Sequence, residues 1–191
     1  MGKIKSALEL AMEKIQNLNV SEDEIEKMEY VSKGRAVGAR FLDNGEFSFE
    51  KEFSAHPERV RPYLSEGAQE TLLNNILLPE SEEVIRTNKK AMEGIMQLKE
   101  DQGAAGEVMS QIEHLFHYYA QALQHTLNET RNNFMAKKEQ FINALKQQYG
   151  GQVQGIEQIA FRDEWQRAKK SLNAQYEPLL QEQKQKIRQI K

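Results

Sequence analysis

Three imidazoles within twelve residues are the first feature that could do chemistry. The string EHLFHYYAQALQH places His114 and His117 three apart and His125 three helical turns beyond His114. Histidines at such spacings are the usual starting point of a metal site. On a helix with Ile112 at zero, however, they fall at about 200°, 140° and 220°, away from the apolar stripe. His114 and His125 are also about 16 Å apart along the axis, too far to share one ion within a single chain. They read as surface histidines, with an intermolecular metal site as the lesser reading. None of the four histidines follows a glutamate by three positions, so the paired Glu-x-x-His pattern of di-iron bundles is missing. His56 precedes Pro57 in an expected loop and reads as structural or exposed.

Other chemistries are equally unsupported by motif. The chain has no cysteine, which removes disulfides, thiolate metal sites and cysteine nucleophiles. The string GRAVGAR lacks the Walker lysine and the dinucleotide glycine spacing; its Gly34 and Gly38 are expected to let another helix approach closely. There is no Gly-x-Ser-x-Gly elbow and no carboxylate pair that stands out from an acidic surface. The expectation is a protein that is not an enzyme and needs no metal or cofactor. Asn128-Glu129-Thr130 fits a glycosylation sequon, but it lies mid-helix, and no signal peptide is expected in MGKIKSALEL. Met1-Gly2 with Ser6 meets only the loose myristoylation pattern.

The elements that would carry these residues are helical throughout. Of 191 residues, 39% are hydrophobic, 8% aromatic and 29% charged, with both signs interspersed. This balance predicts long solvated helices. Ile4, Leu8, Ala11, Ile15 and Leu18 form one stripe over 3–18. Ser21 and Glu24 read as a capping box opening a helix to Leu42, and Asp43-Asn44-Gly45 as the turn that ends it. EFSFEKEF fits a short strand or a short helix; helix is preferred because no second strand is present to pair with it. Pro57 and Pro62 suit first helical turns, and Leu64, Ala68, Leu72 and Ile76 share a face up to Pro79. Ser81 caps the next helix, striped by Val84, Ala91, Ile95 and Leu98 with Met92 and Met96 alongside.

Gly103 and Gly106 read as an interruption, after which a helix from about Glu107 to Tyr149 is expected. Its stripe runs Ile112, Leu115, Tyr119, Leu123, Leu127, Thr130, Phe134, Lys138, Phe141, Leu145, Tyr149. The period of about 3.7 predicts a nearly straight rod. Gly150, Gly151 and Gly155 form a turn, and the chain returns through Phe161, Trp165, Ala168, Leu172, Tyr176, Leu179 and Ile187. Pro178 is expected to kink or end that helix and leave the last residues frayed. The fold class is therefore all-α: a module of short helices over 1–101, then a long, coiled-coil-like antiparallel hairpin over 104–191.

The stretches IKSALELAMEKI, GRAVGARFLDNGEF and GAQETLLNNILLP, with the hairpin behind them, resemble a family of small bacterial proteins of unknown function. The resemblance implies a bacterial, cytoplasmic, all-helical protein and brings no activity, ligand or catalytic residue.

No stretch approaches the roughly 20 apolar residues of a membrane span. Residues 1–101 carry 14 basic and 20 acidic side chains and 102–191 carry 12 and 9, so the halves differ in sign. A two-helix hairpin buries a single seam, so the aromatic-rich stripe of Phe134, Phe141, Tyr149, Trp165, Leu172 and Tyr176 is expected to pack on other helices or on a second subunit. The leading expectation is an interaction or scaffold (adaptor) protein, as a homodimer or with a protein partner. The alternative is nucleic-acid or other anionic-partner binding through the basic second half, where lysines and arginines interleave with aromatics.

Overall fold

The computed structural model describes residues 21–43, 47–149 and 155–191, with the backbone alone at Leu145, Gln148, Tyr149 and Ile156. Six helices occupy them: α1 (Glu22–Asp43), α2 (Phe49–Ser54), α3 (Arg61–Asn74), α4 (Glu82–Leu98), α5 (Gln102–Tyr149) and α6 (Ile156–Gln189), with a 3-10 turn at Glu58–Val60. No strand occurs among the described residues, so the all-α reading holds. None of these helices is long and apolar enough to cross a membrane. The helix expected over 3–18 and the turn at Asn44-Gly45 lie outside the described residues.

The chain divides into two compact units, Met1–Asn74 and Asn75–Lys191. In the first, the Ser21 hydroxyl accepts from the Glu24 amide at 3.2 Å, while the Glu24 carboxylate accepts from the Ser21 amide at 2.9 Å. This reciprocal box starts α1 where the sequence placed it. Val31, Gly34, Val37, Gly38 and Phe41 form the buried face of α1, packed on Leu64, Gly67, Ala68 and Leu72 of α3. A Cβ on Gly34 would sit 2.1 Å from the Leu64 carbonyl oxygen, and one on Gly67 2.0 Å from that of Val31. The backbones thus touch through two opposed glycines. Ser48 caps α2, whose buried Phe49 stacks on Phe41 at 4.9 Å and meets Phe47 and Phe53. From Phe49 onward, EFSFEKEF is therefore a short helix with aromatic anchors.

In the second unit, Ile76 and Leu78 are buried in a non-helical stretch. The buried Asn88 side chain accepts from the Leu77 amide at 2.9 Å and donates to the Leu77 carbonyl at 2.7 Å, satisfying that stretch as a second strand would. Ser81 caps α4 as expected. The unit boundary falls at Asn74, not at 101, because α4 and the segment before it are bound to the hairpin by contacts described below.

Gly103 and Gly106 do not interrupt the chain. The Asp101 carboxylate accepts from the Ala104 amide at 2.9 Å and caps α5, which then runs straight through both glycines for 48 residues. The helix is not straight, however: Lys137 has non-helical angles, φ −119° and ψ 18°, and breaks it into two segments. α5 and α6 pack along their length as an antiparallel hairpin. Pro178 lies inside α6 without ending it, and Ile187 beyond it is fully buried. The expected frayed tail is thus docked: Glu100 and Asp101 amides both donate to the Lys191 carbonyl, at 3.0 and 3.1 Å. Leu179, placed on the stripe by sequence, is 47% exposed, and its neighbour Leu180 takes the buried position.

Candidate interaction surface at the end of the hairpin

The aromatic positions singled out by spacing separate into core and surface. Phe134 and Leu172 are buried, Phe141, Trp165 and Tyr176 are half-buried, and the Tyr149 side chain lies outside the described residues. Phe134 stacks on Phe141 with centroids 5.6 Å apart and meets Phe161 edge-on at 5.5 Å. Tyr176 packs edge-on against Tyr119, further along the hairpin, at 5.3 Å. The hairpin therefore closes much of its own seam through aromatic pairs. Gly34 and Gly38 belong to the α1–α3 contact, where they face Leu64 and Ala68.

Around the Phe134 cluster the seam opens into a cleft of about 720 Å³, lined by Arg131, Phe134, Met135, Gly155, Glu157, Gln158 and Phe161. Elements explain its shape. The break at Lys137 lies one turn beyond Phe134, and Gly155, at φ +73°, starts α6 in the left-handed conformation that a side-chained residue adopts only under strain. Met135 is 62% exposed at its edge. Lys138 is held by Glu157 across the hairpin at 2.7 Å, whereas Arg131 makes no ion pair with any described residue. The cleft thus offers an apolar floor, one available cation and a side-chain amide. Such a lining can take an apolar side chain with an acceptor beside it; it places no nucleophile next to a base.

A second polar cluster is structural. The Glu80 carboxylate accepts from Lys169 at 2.8 Å and from Asn173 at 2.6 Å, and the buried Tyr119 hydroxyl donates to Asn173 at 2.8 Å. Burial alone would raise the Glu80 carboxyl, but the hydrogen bonds from Lys169 and Asn173 and the lysine charge outweigh it and hold it below its ordinary 4.5. Burial, and then the Glu80 charge, push the Tyr119 phenol up. Every hydrogen-bonding group is matched, so the cluster clamps the start of α4 to both hairpin helices. Two buried lysines sit near the opposite end. Lys99 donates to the Ile190 carbonyl, and Lys184 is 3% exposed; burial lowers both.

His114, His117 and His125 are all exposed; His125 faces Glu129 at 3.3 Å and His117 bonds Gln121 at 2.8 Å, each on its own helix. No three histidine, aspartate or glutamate side chains converge among the described residues. His56 packs edge-on against Tyr30, and its carbonyl accepts from Arg61.

Sequence reasoning missed Met135, Arg131, Phe161's part in the cleft, Gly67 and the Glu80 cluster. Only Gly67 carried a readable signal, a lone glycine inside an expected helix opposite the paired Gly34 and Gly38. No curated protein and no solved structure matches the chain. A family model described as a family of unknown function (DUF6657) matches residues 50–189, which takes in α3 to α6 whole and all but the first residue of α2 but leaves out α1. Covering well over half of the chain, that match makes this protein a member of the DUF6657 family.

Proposed function

We propose that this is a non-enzymatic cytoplasmic interaction protein that holds a protein partner, or a second copy of itself, through the open end of its long hairpin. The observation that supports it is the cleft: an exposed methionine beside a buried phenylalanine, with an arginine that no described residue pairs. Methionine-edged apolar surfaces adapt to helical partners, and an arginine at the rim adds directional recognition of a carboxylate or carbonyl.

Nucleic-acid binding is supported less. Among the basic residues of the second half, Lys138, Arg162, Arg167, Lys169 and Lys186 face carboxylates, and Lys184 is buried. That leaves half of the twelve cations of this half to neutralise phosphates, against nine carboxylates on the same stretch.

The test is purification of the tagged protein from its host at mild salt, with and without nuclease, alongside Met135→Glu. A stoichiometric, nuclease-insensitive protein that is lost in Met135→Glu while the melting temperature stays unchanged is the expected result. Recovery that depends on nucleic acid and falls steeply with salt sinks the proposal, as does a partner that ignores the substitution.

A further inference from the structure

Opposite its buried face, α1 carries a second stripe with no charge in it. Ile25, Met28, Ser32, Ala36 and Ala39 follow one another by three, four, four and three residues and are all exposed, Ile25 to 42% and Met28 to 69%. At 100° per residue they span a sector of only about 80°. Val31, Gly34, Val37, Gly38 and Phe41 occupy the other side of the helix against α3. From Glu26 to Arg40 every charged residue of α1 has a partner: Lys27 with Glu66, Lys33 with Glu29, Arg35 with Glu70, Arg40 with Glu52 and Glu26 with Arg59. An uncharged lane thus runs from Ile25 to Ala39, short of Asp43 at the helix end, between flanks whose ions are paired.

We infer that this lane is the docking face of residues 3–18 of the same chain. That segment carries its own stripe, Ile4, Leu8, Ala11, Ile15 and Leu18, spaced by four, three, four and three. Only Asn19, Val20 and Ser21 separate it from α1, and connections of two to five residues are those that join antiparallel helices. Folded back through that connection, the two stripes fall into one register. Leu18 meets Ile25, Ile15 meets Met28, Ala11 meets Ser32 and Ile4 meets Ala39, while Leu8 comes within one residue of the position facing Ala36. Small residues oppose each other at the centre, where backbones approach, and large ones meet near the connection. Beside the lane, Lys14 falls opposite Glu29 and Lys3 opposite Arg40, whose charges Lys33 and Glu52 already meet at 2.6 Å each, so the register brings no unpaired like charges together. Sixteen residues of helix reach about 24 Å, enough to cover the lane from Ile25 to beyond Ala36. A three-residue tether also holds this occupant at an effective concentration on the order of millimolar, ahead of any second copy at ordinary protein concentrations.

The absence of native cysteine makes the test direct. Ala11→Cys with Ser32→Cys in the full chain should close under mild oxidant into an intramolecular disulfide. That product migrates as a monomer, and closure should be about tenfold faster than for the offset pair Ala11→Cys with Arg40→Cys. Equal rates for the two pairs, or no closure, overturn the assignment. So does a disulfide-linked dimer formed by Ser32→Cys alone as readily as the monomeric product, which would make a second copy the occupant. As an independent readout, Met28→Cys should react slowly with a thiol reagent in the full chain and rapidly when Ile15→Asp is added; equal reactivity overturns the assignment as well.

Discussion

Glycines in this chain differ by what their missing side chains would meet. At Gly67 a methyl group would run into backbone, the Val31 carbonyl oxygen at 2.0 Å, and neither helix yields without moving as a whole. At Gly106 the nearest atom is the end of the Met96 side chain at 3.9 Å, an ordinary contact. Gly67→Ala should therefore cost about 1–3 kcal/mol or more, while Gly106→Ala should stabilise by about 0.5–1 kcal/mol through helix propensity. Denaturant melts of the two variants settle it; equal effects would mean that the α1–α3 approach is looser than described. Glu80 offers a second residue-level test. Its carboxyl is lowered in the folded state, so its contribution is present above the unfolded value near 4.5 and is lost as pH falls through the folded one. The stability gap between the native chain and Glu80→Gln should be widest near neutrality and shrink below about pH 4.5. A gap that does not change between pH 7 and pH 3 would show that the carboxylate charge is not what holds Lys169 and Asn173.

Among the elements, the end of α6 separates pattern from context most clearly. Proline in a helix and a run of glutamine and lysine predict fraying, yet Ile187 is fully buried and the last carbonyls accept from Lys99, Glu100 and Asp101. Ile187→Ala should accordingly cost about 2–5 kcal/mol, and amide exchange at Lys184 to Ile187 should be slow. A loss within about 0.5 kcal/mol would return this segment to a frayed tail. Local rules were legible wherever the decisive partner is near in sequence. The Ser21–Glu24 box and the Ser81 cap follow from neighbours within a few residues, the helical reading of EFSFEKEF from the want of a second strand to pair with it, and the hairpin from the period of its two stripes. Gly103 and Gly106 suggest a break by composition, yet the Asp101 cap, itself readable in the sequence, starts a helix that runs through both. The cleft was not legible: its opening depends on the backbone break at Lys137, in a stretch with neither glycine nor proline to announce one. On α6 the one-residue shift from Leu179 to Leu180 follows from packing that periodicity alone leaves undetermined.

At the scale of the whole molecule, the division at Asn74 follows from interactions that span long stretches of sequence. Glu80 reaches Lys169 and Asn173, and Lys99 reaches Ile190, each across about ninety residues. No periodicity reports such pairs, and composition alone grouped α4 with the short helices before it. These contacts bind α4 to the hairpin at both ends, through Glu80 just before its start and Lys99 at its C-cap. Between those clamps Ala91 and Ile95 of α4 are fully buried, as are Ile76, Ile112, Leu180 and Ile187 elsewhere in the unit. A unit with its own closed core and its own long-range polar clamps should fold without the rest. Residues 75–191 expressed alone should therefore remain helical and melt in one cooperative transition. The shorter piece 102–191, cut at the boundary that composition favours, loses Glu80, Lys99 and the apolar face of α4. It should melt at least about 10 °C lower or without a clear transition, since the loss of several buried contacts costs a domain of this size that much. Circular dichroism melts of the two pieces decide between the boundaries, and indistinguishable curves would mean that α4 adds nothing to the hairpin.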